Sequence, residues 1–327
     1  MRPHRIAVAG AGNMARTRGR AFIDTGRAEI CAVAASRTET AAACAAELAC
    51  DQATGDYRRL ADAEPDALLI ETPHAVQDEI ALWALERDID LLIGGCLASN
   101  LESGTRIIEL AAARGLVVEA GYQRRYDAAW ERIRDLVSSA ELGRPVMAIC
   151  MALWSPDPDV WYYDQALSGG MPLTHMSYCY LNAVRWILGQ PLTVAATTNR
   201  IVATEPGKVN EESCATCIGF ADGSFASATA SYAGPEGMAD AATRFVCSGG
   251  GMQVDGDEVL LFRGGETATE SFADAVPPFR RQADAFLDAI ESRQPARNPP
   301  SDALVDVQIA EAIATSARDR VTVALPR

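Results

Sequence analysis

The stretch Ile6 to Ala15, I-A-V-A-G-A-G-N-M-A, constrains this chain more than any other. Ile6-Ala7-Val8-Ala9 is the short apolar run that a strand buried on both faces needs. Gly10, Gly12 and Ala15 then fall at the spacing G-x-G-x-x-A, directly before a helical stretch through Phe22. Gly10 permits a tight turn, Gly12 lets the backbone approach a pyrophosphate, and Ala15 allows the helix to pack closely on the strand. Asn13 and Met14 open the helix, where free N–H groups and the positive end of the dipole would face the phosphates. Strand, glycine turn and helix in that order predict a dinucleotide site.

The next segments agree. Glu29 to Ala35 reads as a second strand ending in Ser36-Arg37-Thr38. An acid at this strand end would bind the adenosine ribose diol of NAD. An arginine flanked by two hydroxyls stands there instead, which suits a 2′-phosphate, so NADP is expected, with NAD possible. Ser36 is also placed to cap the alanine-rich helix Glu39 to Ala49. Strands at Ala67–Glu71, Ile89–Ile93 and Leu116–Ala120 alternate with helices at about Gln77–Arg87 and Leu101–Arg114, which predicts a parallel sheet with helices on both faces. Ligands bind at the carboxyl ends of such strands. That rule lines Gly10–Ala15, Ser36–Thr38, Thr72-Pro73-His74 and Gly94–Ala98 along one rim.

Near residue 127 the pattern changes. A helix from Ala128 to Ala140 is followed mainly by strand-like segments: Val146–Trp154, Leu192–Val202, Ser213–Ala233, Thr243–Cys247 and Glu258–Phe262. One helix, about Leu173–Leu188, interrupts them, and helices at Phe279–Arg293 and Ser301–Ala317 close the chain. The expected fold is therefore α/β, with a Rossmann domain over residues 1–121 and an α+β domain on an open antiparallel sheet over 122–327. The 327 residues suffice for two such cores.

The formal charge of −15 argues against nucleic acid or an anionic membrane as partner. No apolar run reaches the length of a membrane helix, and no signal peptide precedes the first strand, so a cytoplasmic protein is expected. The nine cysteines form no framework. Cys214 and Cys217 make a C-x-x-C, but on a strand residues three apart face opposite sides, so no metal site is expected. Gly219 to Gly223 and Gly249-Gly250-Gly251 read as turns between strands. Lys208 is the sole lysine, and His4, His74 and His175 are the only histidines, so candidates for acid–base work are few.

The turn G-A-G-N-M-A, the segment T-P-H, the stretch G-Y-Q-R-R-Y-D, the break E-L-G-R-P and the G-G…R-W-I-L-G segment, in that order along nearly the whole chain, resemble the Gfo/Idh/MocA oxidoreductases. The resemblance implies hydride transfer between NAD(P) and a sugar, cyclitol or similar small molecule, and homo-oligomers formed through the C-terminal sheet. It also implies two catalytic motifs, and both are altered here. The first is E-K-P, whose lysine lies beside the nicotinamide; this chain has Gly94, Gly95 and Cys96. A trans bond and a remodelled loop are expected where the proline is missing. The second is an aspartate followed four residues later by a histidine on one helix. His175 stands at the aspartate position, Cys179 at the histidine position, and Asn182 at a further position that is often aspartate. At spacing i, i+4, i+7 these share one face of an α-helix.

His175, Tyr178 and Cys179 are thus the catalytic candidates. His74 is a further proton donor to weigh, besides its place among the cofactor contacts. Arg125, Trp161, Tyr163 and Asn182 are the substrate-binding candidates, the two aromatics in a tryptophan- and tyrosine-rich stretch that would suit a larger or flatter ligand. Three functions are open to such a chain: an NADP(H)-dependent oxidoreductase using other proton donors, a non-redox lyase, cyclase or dehydratase on the same fold, and a non-catalytic partner subunit.

Overall fold

Six short strands, almost wholly apolar, form the first sheet: β1 (His4–Ala9), β2 (Ala28–Ala34), β3 (Ala53–Thr54), β4 (Ala67–Ile70), β5 (Asp90–Ile93) and β6 (Val118–Ala120). All their pairings are parallel, in the order β3-β2-β1-β4-β5-β6. Ile6, Ala7, Val8 and the whole of β4 have no exposed surface, because helices cover both faces. The computed structural model describes residues 2–154, 160–202, 208–209, 211–235, 238 and 240–326, with the main chain only at 177–179, 240 and 241.

The helices of this sheet are α1 (Asn13–Asp24), α2 (Thr38–Glu47), α3 (His74–Leu85) and α4 (Leu101–Arg114). Their ends carry the expected signals. Asn100 caps α4 by accepting from Ser103 N–H, and Gly115 ends it in the left-handed conformation. Ser36 does not cap the next helix, because α2 begins at Thr38 with Arg37 as its extended N-cap.

The chain divides into two compact units, and the division is not linear. Residues 1–123 and 276–305 form the first, residues 124–275 and 306–327 the second. The reason is α8 (Pro278–Ser292), whose Ala283, Phe286, Leu287 and Ile290 join the core of the first unit. Phe286 meets Phe22 of α1 edge-on at 6.0 Å.

The second unit is built on a nine-stranded sheet: β7 (Pro145–Leu153), β8 (Pro191–Asn199), β9 (Ser213–Phe220), β10 (Phe225–Ser231), β11 (Asp240–Cys247), β12 (Gly250–Asp255), β13 (Glu258–Arg263), β14 (Glu266–Ser271) and β15 (Val323–Ala324). The order is β14-β13-β12-β11-β7-β10-β9-β8-β15. Every pairing is antiparallel except β7 with β10, so the sheet is mixed but mostly antiparallel. Residues 221–224 turn β9 into β10, while only Ser248 and Gly249 join β11 to β12, Gly250 and Gly251 being already paired in the strand.

One face of this sheet is buried: Ala148, Cys150 and Ala152 on β7, Ala226, Ala228 and Ala230 on β10. Helices α5 (Ala128–Ser138), the single turn α6 (Gln165–Ser168) and α7 (Asn182–Leu188) belong to this unit, as does α9 (Pro300–Asp319) from Asp306 onward. Trp130 of α5 packs edge-on against Phe245 of β11 at 6.4 Å, and Ser316 of α9 accepts from Ala196 N–H of β8.

Strands β3, β12 and β15 lie outside the segments expected from the sequence, and two further elements differ from that reading. The helix expected at 173–188 is a π-helix over Pro172–Leu181 that continues as α7. Strand β14, E-T-A-T-E-S, was not expected. It is the edge strand, exposed along most of its length, and carries no apolar alternation.

Candidate active site

In the first unit the glycine turn is held by the strand beside it. Gly10 has φ +115°, and a Cβ there would lie 2.1 Å from the carbonyl oxygen of Glu71, so only glycine fits. At Gly12 a Cβ would meet nothing within 4 Å. Gly12 is the N-cap of α1 and offers no side-chain hydrogen bond to the helix, while Gly12, Asn13 and Met14 are all exposed. The turn thus leaves open space in front of backbone N–H donors, which is the geometry a pyrophosphate requires.

Beyond β2, Ser36, Arg37 and Thr38 are exposed. Arg37 makes no ion pair among the described residues, leaving its guanidinium available to an anion. Beyond β4, Pro73 is the N-cap of α3 and His74 its first residue. Thr72 Oγ1 is buried without a hydrogen-bond partner. An orphaned hydroxyl here and an open glycine at Gly12 both fit a bound dinucleotide.

Glu71 is the residue the sequence reading missed. It directly precedes T-P-H, and its side chain, 8% exposed, pairs with Arg18 Nε at 2.8 Å. Burial pushes its carboxyl upward, against the opposing pull of Arg18. Arg18 also donates to the carbonyl of Gly121 at 2.6 Å and to Gln282 Oε1 at 3.0 Å. A Cβ on Gly94 would lie 2.3 Å from that carboxylate. The acid that E-K-P would place at position 94 is thus matched in space by one from the neighbouring strand.

At Gly95, φ is +88° and a Cβ would lie 3.4 Å from His74 Nε2. His74 is buried, so an imidazole borders the position where the lysine would begin. Cys96 is also buried, and burial pushes its thiol far above the ordinary range. No cis peptide bond occurs among the described residues.

In the second unit, His175 sits on the π-helix, half-buried, with Nδ1 hydrogen-bonded to the hydroxyl of Tyr232. Aromatic rings surround it: Trp154 at 4.6 Å, Tyr232 at 5.0 Å and Tyr162 at 5.1 Å between centroids. Trp161 stacks edge-on against Tyr162. Tyr163 is buried, donates to the carbonyl of Tyr232 at 3.1 Å, and has its phenol pushed up to about 12 by desolvation. Tyr178 and Cys179 lie on the same helix, but their side chains fall outside the described residues.

The expected common face of His175 and Asn182 is absent. A π-helix advances each residue by a smaller angle than an α-helix, so a separation of seven no longer returns to one face. Asn182 instead faces Arg125 and α9. It accepts from Arg125 Nε at 2.9 Å and donates to Asp306 at 2.6 Å. Asp306 in turn holds Arg185 through both its oxygens, at 3.1 and 2.9 Å. Arg125 and Asn182 are brought together as members of this buried chain, 3% and 1% exposed.

Glu211, also unforeseen, lies at the start of the π-helix. It accepts from the N–H of Met171 and abuts Gly170, whose φ is +96° and whose Cβ would fall 2.2 Å from its carboxylate. Desolvation pushes its carboxyl from 4.5 to about 7. The sole lysine, Lys208, pairs through its backbone with Asp164. Cys214 is buried and Cys217 exposed, as expected of opposite strand faces, and no group of side chains that could hold a metal occurs among the described residues.

Comparison with known proteins adds the following. Residues 4–122 match the family model described as oxidoreductase family, NAD-binding Rossmann fold, and residues 130–253 match the GFO/IDH/MocA C-terminal domain. Inositol 2-dehydrogenase 3 of Saccharopolyspora erythraea is 28% identical over 194 residues, 58% of this chain and 55% of that protein. D-xylose 1-dehydrogenase [NADP(+)] of Haloarcula marismortui is 26% identical over 239 residues, 70% of this chain and 66% of that protein. The chain thus matches less than two thirds of the length of such relatives. Among solved structures, levoglucosan dehydrogenase in complex with NADH and L-sorbose superposes with a TM-score of 0.90 over 100% of both chains at 19% identity, a likeness of fold. No described helix is long and apolar enough to cross a membrane.

Proposed function

Because this chain belongs to the Gfo/Idh/MocA oxidoreductase family, a family of NAD(P)-dependent dehydrogenases acting on sugars and related small molecules, we propose that it is an NADP(H)-dependent oxidoreductase whose proton donors are not the family's usual ones. The carrying observation is the turn at Gly10 and Gly12, open in front of an uncapped helix and bordered by the orphaned hydroxyl of Thr72. Gly10, Gly12, Asn13 and Met14 would hold the pyrophosphate, Ser36, Arg37 and Thr38 a 2′-phosphate, and Thr72, Pro73 and His74 the nicotinamide end. The bound dinucleotide supplies the hydride chemistry.

The proton falls to this chain's own residues. His175 is the acid–base candidate of the second unit, held on Nδ1 by Tyr232. In the first unit His74 borders the vacant position at Gly95. The substrate is a small alcohol, carbonyl or imine, and the aromatic rings at Trp154, Trp161 and Tyr162 suit a ring-shaped ligand. The protein acts in the cytoplasm as a homo-oligomer joined through the C-terminal sheet.

Titration with NADPH and with NADH, followed by cofactor fluorescence, is the test. Binding of NADPH tighter than NADH, with the preference lost in Arg37→Asp, is the expected result. Failure of both to bind at sub-millimolar concentration would sink the reading. Binding without turnover across carbonyl and imine substrates would instead favour a non-redox enzyme.

A further inference from the structure

We propose that Tyr232 is a positioning residue for His175, fixing the tautomer in which Nε2 carries the proton. This rests on the role given above to His175. His175 is one of three histidines in the chain, and three aromatic rings stand around it. Trp154 and Tyr162 confine the imidazole on two sides, tilted 49° and edge-on at 88°. Tyr232 stands edge-on at 82° and reaches Nδ1 with its hydroxyl.

Tyr232 is itself well fixed. It is 4% exposed, its N–H donates to the carbonyl of Glu212 at 2.8 Å, and its carbonyl accepts from Tyr163. The Tyr163 ring lies 4.8 Å from its own. Neither partner of the hydrogen bond can turn away without breaking these contacts.

The chemistry of the pair decides which way the bond runs. A phenol O–H is a better donor than an imidazole N–H, and an imidazole nitrogen is a better acceptor than a phenol oxygen. Tyr232 therefore donates to Nδ1, which leaves the proton of the neutral ring on Nε2. A carboxylate in this place could only accept, and would put the proton on Nδ1. The hydroxyl keeps both roles: a second proton enters the neutral ring at Nδ1, and the Tyr232 oxygen then accepts from Nδ1–H by rotation of its own O–H. The neutral ring thus presents Nε2–H as a hydrogen-bond donor to a reacting oxygen, and the imidazolium can release its Nε2 proton, leaving Nδ1–H on the Tyr232 oxygen, without moving the ring.

The test is long-range 1H–15N correlation on the histidine-labelled full chain at a pH where the rings are neutral. Three rings give three patterns, assigned with His4→Gln and His74→Asn. The expected wild-type result is a single Nε2–H pattern for His175, replaced in Tyr232→Phe by the averaged pattern of a ring that exchanges tautomers. An Nδ1–H pattern or an averaged one in the wild type overturns the proposal, and this readout needs neither the variant nor any activity. Where NADP(H)-dependent turnover is found, Tyr232→Phe should lower kcat about tenfold or more, with KM little changed and the pH profile displaced. Equal losses in kcat and KM with an unmoved profile would also overturn it. A correct tautomer in a protein that binds no dinucleotide would leave the positioning intact and refute only the redox reading.

Discussion

Single residues divide sharply into those whose position in the sequence declares them and those that act through a distant partner. Gly10, Gly12 and Arg37 declare themselves, because their turn and strand end are local. Glu71, Tyr232 and Glu211 do not, because what they touch lies far along the chain or depends on how strands align. Glu211 makes a clear prediction. Its folded carboxyl is raised from 4.5 to about 7 by burial, so the folded state prefers the protonated form. The stability this gives is fully present below about 4.5 and is lost as pH rises through about 7, amounting to at most ~3 kcal/mol. Urea unfolding should show the wild type weakening between about pH 5 and about pH 8, with Glu211→Gln, which keeps an acceptor for Met171 N–H, nearly flat by comparison. Parallel curves for the two proteins would refute this account of Glu211.

At the scale of elements, the parallel sheet was legible because each of its main strands is a short apolar run between helical stretches. The region from 172 to 188 was legible as a helix but not in its winding, since apolar residues all round a buried helix do not fix its period. That winding matters: it turns His175 toward Tyr232 and Asn182 toward α9. The second destination carries a prediction of stability. Asp306 has no exposed surface and holds Arg185 and Asn182 together, joining α7 to α9. Asp306→Ala leaves a buried guanidinium without its carboxylate, which costs about 3–5 kcal/mol. Chemical denaturation measures this directly, and a loss below about 1 kcal/mol would show that Arg185 finds another anion. Helix α8 shows the complementary limit of sequence reading. It was legible as a helix, but a helical pattern does not say which sheet it covers.

For the whole molecule, the surface poses the remaining question, and its answer lies on the nine-stranded sheet. The strand registers align Phe225, Met147, Val246, Gly251 and Phe262 in one row across five strands. This row is on the face opposite Ala148, Cys150 and Ala226, and Phe225, Val246 and Phe262 are 37–39% exposed. Ile149, one step further along β7, adds to the same apolar face. A concavity of about 460 Å³ borders the row at Val246, Gly251 and Phe262. Scattered surface apolar residues need no explanation, but a continuous row across a sheet does. A second copy of the same face would cover it, and the net charge of −15 makes such a bare apolar strip the natural place for two copies to meet, away from their mutual repulsion. A stable contact of this kind buries about 1,600 Å², an area a sheet face of five strands can supply. Light scattering on the eluting protein should therefore give at least a dimer, and Phe225→Glu with Val246→Glu should reduce it to a monomer with unchanged circular dichroism. Glutamate at both positions places like charges opposite one another in a symmetric contact, so even a polar-tolerant interface would not survive. If the double variant kept the wild-type mass, the covering partner would have to bind elsewhere, and this face would be left bare in solution.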